Sequence, residues 1–186
     1  MVGARNLAKG LSDKGYGEYT KNLKSDTGNL DLKPADIVSI SDHHVWISLG
    51  TCDDGSVVIA HCTPSKSRTN NPGGGVQISA IGDSTDCEAY RLAKKYMSKY
   101  YPKWYDRYPI YLTDPNVYLA VDKGNAGRFR WSDNCLLDPE RITDMTPEEV
   151  LKLLFNENDI SENTQSSENV QSVKVSAVPK TGDKWL

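Results

Sequence analysis

The stretch from Asp36 to Cys62, DIVSISDHHVWISLGTCDDGSVVIAHC, constrains the fold more than any other part of the chain. Ile37 to Ile40, Val45 to Leu49 and Val57 to Ala60 are rich in β-branched residues, which suit a pleated, half-buried surface. The last two runs flank Gly50-Thr51-Cys52-Asp53-Asp54-Gly55, where paired aspartates between glycines are turn chemistry. A hairpin folded symmetrically about that turn sets Gly50 against Gly55 and His44 against His61. Directly opposed side chains on one face have Cβ atoms roughly 4.5–5.5 Å apart, so two imidazoles are expected side by side at the open end. The other face then carries Val45, Ile47 and Leu49 against Val58 and Ala60 as a core-facing set. A slip of one residue would send the two rings to opposite faces.

The chain has 186 residues, enough for one domain with a proper core. Its formal charge is −3 with no basic stripe, which argues against nucleic acid or an anionic membrane as partner. The four cysteines, Cys52, Cys62, Cys87 and Cys135, have no CxxC spacing, so a zinc ribbon is not expected. Zinc at the histidines would need a third and fourth ligand, and only Cys62 is near in sequence. No metal or cofactor is therefore expected. The first ten residues lack the apolar core of a signal peptide, and no run of about 18 apolar residues is present to span a membrane.

Apolar residues at helical intervals predict a helix over residues 2–14, and Gly15 to Asn29 reads as a loop. Residues 63–75 form a long connection ending in Asn71-Pro72-Gly73-Gly74-Gly75, followed by a fourth strand at Val76 to Ile81. A helix is predicted from Asp86 to Tyr101, with Thr85 and Glu88 in capping-box position and Ala89, Leu92, Ala93, Tyr96, Met97 and Tyr100 on its buried face. The aromatic run YPKWYDRYPIY reads as an irregular cap over a sheet edge, Asp114-Pro115 as a helix start, and Phe129 to Trp131 as a brief strand. Thr146-Pro147 is an N-cap with proline at the first helical position. Residues 1–155 are thus one domain. Residues 156–186 form a Ser/Asn/Gln/Glu-rich tail with little to bury, expected to be disordered.

Two facing histidines suit an acid–base pair, one ring taking a thiol proton while the other fixes its tautomer. A structural pair in a sheet is the blander alternative. The segments Leu32-Lys33-Pro34-Ala35-Asp36-Ile37-Val38, His44-Val45-Trp46-Ile47-Ser48-Leu49-Gly50 and Ile59-Ala60-His61-Cys62-Thr63 resemble the NlpC-like family of bacterial cell-wall cysteine peptidases. The resemblance covers about residues 30–80. It implies a papain-like α+β fold, a small antiparallel sheet packed against helices, here with an irregular C-terminal extension. It also implies a peptidoglycan-directed endopeptidase or amidase acting on stem peptides outside the cell, with His44 as catalytic histidine and His61 in the third, orienting position. Ala35 and Trp46 depart from the family's usual glycines.

The family's nucleophile lies upstream of the first histidine, and no cysteine here precedes Cys52. The resemblance therefore implies a domain that begins after its catalytic cysteine and is inactive as written. One rival is a permuted papain-like enzyme using Cys87, whose thiol pKa a helix N-terminus would lower. Another is a non-catalytic wall-binding module that holds glycan or peptide on the Tyr/Trp segment. Cys52 lies in the turn and Cys62 points away from His61, so neither is a good nucleophile. Val178-Pro179-Lys180-Thr181-Gly182-Asp183 resembles a sortase sorting signal and suits a cell-wall location.

Overall fold

The computed structural model describes residues 3–40, 44–62, 75–108, 110, 112–113 and 126–157. In chain order these form a 3-10 turn (Ala4–Asn6), α1 (Leu7–Asp13), β1 (Gly17–Thr20), β2 (Ile37–Ile40), β3 (His44–Thr51), β4 (Val57–Cys62) and β5 (Val76–Ile81). There follow α2 (Glu88–Tyr100), α3 (Pro102–Arg107), β6 (Leu112–Thr113), β7 (Ala126–Trp131), a second 3-10 turn (Ile142–Asp144) and α4 (Pro147–Leu154). The fold is α+β. One open sheet runs β1-β7-β2-β3-β4-β5-β6, antiparallel throughout except where the two-residue β6 joins β5 in parallel.

Side chains alternate along each strand, so the sheet buries two different surfaces. On one face Leu49, Val58, Ile78 and Ala80 meet Ala89, Leu92, Ala93, Tyr96 and Met97 of α2, and Val150 and Leu151 of α4. Burying each of the larger of these side chains contributes on the order of 2 kcal/mol. Helix α1 docks on the same side, where the Ala8 amide donates to Ser39 Oγ at 3.0 Å. On the other face Val38, Ile40, Trp46, Val57, Ile59 and Ile81 lie under Leu23, Leu30 and Leu32 from the segment between β1 and β2. Asp36 enters β2 fully buried and is held by Arg130 of β7, with Nε to Oδ1 at 2.9 Å and Nη2 to Oδ2 at 2.7 Å.

The two long-range helices start differently. At α4 the expected cap is present: the Thr146 hydroxyl and the Glu149 carboxylate satisfy each other's backbone amides, with Pro147 at the first helical position. At α2 the expected Thr85–Glu88 box does not form. The helix begins at Glu88, and its first amides are taken by the hairpin turn instead. Glu88 N donates to Asp54 Oδ2 at 2.6 Å, and Ala89 N to Ser56 Oγ at 3.0 Å. The turn between β3 and β4 is thus welded to the start of α2. Burial alone would raise the Asp54 carboxyl pKa, but the Glu88 amide, the Ser56 hydroxyl and amide, and Arg91 outweigh it and hold the group below its ordinary value.

Two other expectations need correction. Residues 15–29 are not all loop, because Gly17–Thr20 pairs with β7 as the sheet's outer strand. Gly17 is required there, since a Cβ would lie 2.1 Å from the Arg130 carbonyl oxygen. The aromatic run is not irregular throughout: it forms α3, with Pro102 at its first turn. Just beyond Phe155, Glu157 still makes contacts with α2. Glu157 accepts hydrogen bonds from Tyr96 Oη at 2.9 Å and Tyr100 Oη at 2.5 Å and pairs with Lys99, which holds its carboxyl down at about 2. The Asn71–Gly74 run, the Asp114-Pro115 start, residues 158–186 and the sorting-signal-like motif lie outside the described residues.

Candidate functional site

The hairpin brings His44 and His61 together by a register that the sequence did not suggest. His61 opposes Trp46, not His44, and the pairing changes between Ser48 and Gly50, from Ser48↔Ile59 to Gly50↔Val58. Gly50 is therefore a strand residue at a bulge, not a turn flank. Its φ of 115° and the approach of Pro147 Cγ to 3.2 Å of a notional Cβ explain why glycine stands there. The turn proper is Cys52 to Ser56, closed by Cys52 N to Ser56 O at 2.7 Å. The slip amounts to two residues, and because the side-chain period is two, both rings stay on one face.

His44 thus lies diagonally across from His61. Diagonal positions are roughly 7–8 Å apart, within reach of two imidazoles. His44 Nε2 and His61 Nδ1 form a hydrogen bond at 3.2 Å, with ring centroids 5.4 Å apart and planes at 88°. His61 is 8 % exposed and His44 half-buried. Burial, with a smaller contribution from the charge of His44, pushes the His61 pKa down to about 4. His61 is therefore a neutral ring at pH 7, able to donate through one nitrogen and accept through the other.

A third member was missed by sequence reasoning. Ser79 on β5 is fully buried and its Oγ lies 2.9 Å from His61 Nε2. It stands diagonal to His61, which opposes Gln77 directly. The only sequence signal was parity within VQISAI, and it has meaning only once the β4–β5 register is known. The polar line His44–His61–Ser79 lies on the face that the Leu23–Leu32 segment covers. The expected core set on the opposite face is half right: Leu49 and Val58 are buried, whereas Ile47 is 44 % exposed. The buried positions of β3 instead include Trp46 and Ser48 on the histidine face.

No cysteine reaches this line. Cys87 does sit at the start of α2, as expected, but α2 begins at the turn end of the hairpin, against Asp54 and Ser56. His61 stands five positions beyond Ser56 along β4, about 16 Å of strand. Cys87 also packs in the core of the opposite face. The permuted arrangement with Cys87 as nucleophile is therefore not the one the fold makes. Cys52 lies in the same place; burial, with the negative charges of Glu88 and Asp54 outweighing a hydrogen bond from Ser56, pushes its thiol up to about 12. Cys62 is exposed and follows His61, so its side chain leaves from the other face. Cys135 follows Trp131, at the end of β7 away from the Ala126–Ile40–His44 corner.

Among the described residues, one donor group of another kind is present. Cys52 Sγ and carboxylate oxygens of Asp54 and Glu88 lie within 4.8 Å of one another. Asp54 is already committed to Glu88 N and to Ser56, and the thiol holds its proton, so this cluster works as a helix cap. On the helix-bearing face, Leu49, Ala60, Val76, Tyr101, Trp104 and Phe155 line an apolar cleft of about 480 Å³. No described helix is long and apolar enough to cross a membrane. Compared with known proteins, the chain matches no family model, no curated protein and no solved structure.

Proposed function

We propose that the chain is a papain-like, NlpC-like cell-wall hydrolase domain whose His44–His61 pair is directed at the peptide stems of peptidoglycan outside the cell. The observation that carries this reading is the 3.2 Å bond between His44 Nε2 and His61 Nδ1. With Nε2 turned to its partner, His44 would take a thiol proton on Nδ1. The resulting imidazolium would be held by donation from its Nε2–H to the neutral His61 ring. That is the division of labour an activated cysteine requires. Since none of the four cysteines is placed beside His44, the chain alone is expected to bind stem peptides without cutting them.

The test is a titration of ¹⁵N-histidine-labelled protein with purified disaccharide–stem-peptide fragments, with mass spectrometry of the same samples. The expected result is movement of the His44 and His61 ring signals with no new fragments. Rings that stay unmoved at millimolar ligand would overturn the peptide-stem reading. Cleavage that persists after all four cysteines are changed to serine would overturn the thiol chemistry. A second reading, a non-catalytic wall-binding module, draws on the aromatic cleft around Tyr101 and Trp104. It would be favoured by ligand-induced shifts confined to those two residues.

A further inference from the structure

We infer that the groove at the end of β7 binds a free aliphatic amino acid, its carboxylate toward Lys33 and Arg130 and its ammonium between Asp133 and the ring of Trp131. The groove stands apart from the histidine pair. It opens beside Asp36, where the chain enters β2, whereas Ile40 at the far end of β2 is the residue paired with His44. Nothing in it draws on the acid–base reading.

Two cavities share this groove. The inner one, about 80 Å³, is lined by Lys33, Pro34, Asp36, Arg130, Trp131 and Asp133. The outer one, about 590 Å³, shares Trp131 and Asp133 with it and continues past Leu136, Leu137 and Arg141. Arg130 is fixed in place: Nε and Nη2 grip the buried Asp36 carboxylate and Nη2 also reaches Asp31, while Nη1 takes no part in those bonds. A guanidinium held in this way offers its remaining N–H donors with little side-chain entropy left to lose. Lys33 and Asp133 have exposed side chains that enter no hydrogen bond or ion pair among the described residues.

The charges select the ligand. Asp36 answers Arg130, which leaves Lys33 and Asp133, one of each sign, uncompensated in the lining of one small cavity. An inorganic anion there would meet Asp133, and a metal ion would meet Lys33 and Arg130. A ligand that carries both signs on neighbouring atoms satisfies both ends. Its ammonium also gains from lying on Trp131, since indole is the best aromatic partner for a cation. The inner cavity takes only such a head, and an aliphatic side chain would run outward along Leu136 and Leu137, covering a leucine that is otherwise 94 % exposed. Ala35 and Arg141, two of the three described non-glycine residues with left-handed backbone, line the same groove. Strain of that kind gathers at binding sites, where the surroundings hold it in place.

The test is a titration with L-leucine at constant low ionic strength, using protein labelled with ¹⁵N-tryptophan and ¹³C-methyl leucine. The Trp131 indole signal and the methyl signals of Leu136 and Leu137 should move together and saturate at millimolar ligand. N-acetylleucine, which lacks the ammonium, and leucinamide, which lacks the carboxylate, should each bind about tenfold more weakly. Asp133→Asn should weaken leucine about fivefold and leave N-acetylleucine unchanged, and Lys33→Gln should weaken leucine but not leucinamide. Both substitutions fall on exposed side chains outside the core, so the variants keep the fold. Leucine that moves none of these signals at tens of millimolar overturns the inference. So does a blocked form that binds as tightly as leucine, which would mark a peptide end or a plain apolar groove. A loss in either variant that falls equally on leucine and its blocked form overturns the assigned charges.

Discussion

Acid should unfold this protein through His61 before it does so through the carboxylates. In the unfolded chain an imidazole titrates near 6.5; in the folded protein burial first, and the charge of His44 second, bring His61 down to about 4. Between those values the unfolded state binds a proton that the folded state refuses. Stability is therefore complete above about pH 6.5 and is lost as pH falls toward about 4. The loss relative to neutral pH is about 1 kcal/mol at pH 5.5 and about 2–3 kcal/mol at pH 4.5, a large share of the total for a small domain. Depressed groups such as Asp31 and Asp54 titrate below the ordinary carboxyl value near 3.8, so their contribution begins beneath this window.

Urea unfolding followed by circular dichroism at pH 7.5, 5.5 and 4.5 measures the effect, and His61→Gln isolates it. Glutamine can still reach Ser79 but does not titrate, so the gap between wild type and variant should close, or reverse, by about 2–3 kcal/mol over that range. His44→Gln removes only the smaller cause and should keep most of the wild-type pH dependence. Curves for wild type and His61→Gln that stay parallel from pH 7.5 to 4.5 would refute the reasoning. A ring titration of His61 with a midpoint near 6 would do the same.

Ala35 has φ of 69°, in the left-handed region, so Ala35→Gly should raise stability by about 1 kcal/mol in the same urea assay. Arg130→Met leaves the Asp36 carboxylate buried beside Asp31 without its bidentate partner, and should cost about 3 kcal/mol at pH 7. Asp54→Ala removes the cap that the hairpin turn lends to α2 and should cost about 1 kcal/mol, with faster hydrogen exchange at the amides of Glu88 and Ala89 but not in α4.

The parts legible in the sequence are those whose cause is local. Apolar residues at helical spacing marked α2, and Thr146-Pro147 with Glu149 marked the start of α4, because cap and stripe lie within one turn of each other. The strands at β2, β3, β4 and β5 followed from β-branched runs. Strand β1 was hidden because only Tyr19 and Thr20 favour a strand, beside Gly17 and Glu18, which do not; its place comes from pairing with a strand more than a hundred residues later. Helix α3 was hidden by its aromatics, which read as a cap until Pro102 is seen as a helix start. The histidine pairing was right in its face and wrong in its register. Parity is written in the sequence, but the bulge at Gly50 depends on Pro34 and Pro147 packing against it from distant segments. Ser79 could not be found at all before the β4–β5 register was known.

Whether the line of polar groups exists for stability or for chemistry can be decided by taking it out whole. A buried polar pair costs most when one partner is removed, whereas replacing both by apolar groups of similar shape is close to neutral or even favourable. His61 and Ser79 share their face with Trp46, Ile59 and Ile81, and His44 is exposed enough for water to replace its lost partner. His61→Leu with Ser79→Ala should therefore unfold within about 1 kcal/mol of wild type at pH 7.5, and should be the more stable of the two at pH 4.5, where it has no imidazole to protonate. His61→Leu alone, which takes from the Ser79 hydroxyl the imidazole it bonds to, should be the weaker protein by about 1 kcal/mol. If the double variant instead loses 3 kcal/mol or more at pH 7.5, the histidine line is part of what holds the sheet together, and its geometry gives no reason to look for a reaction.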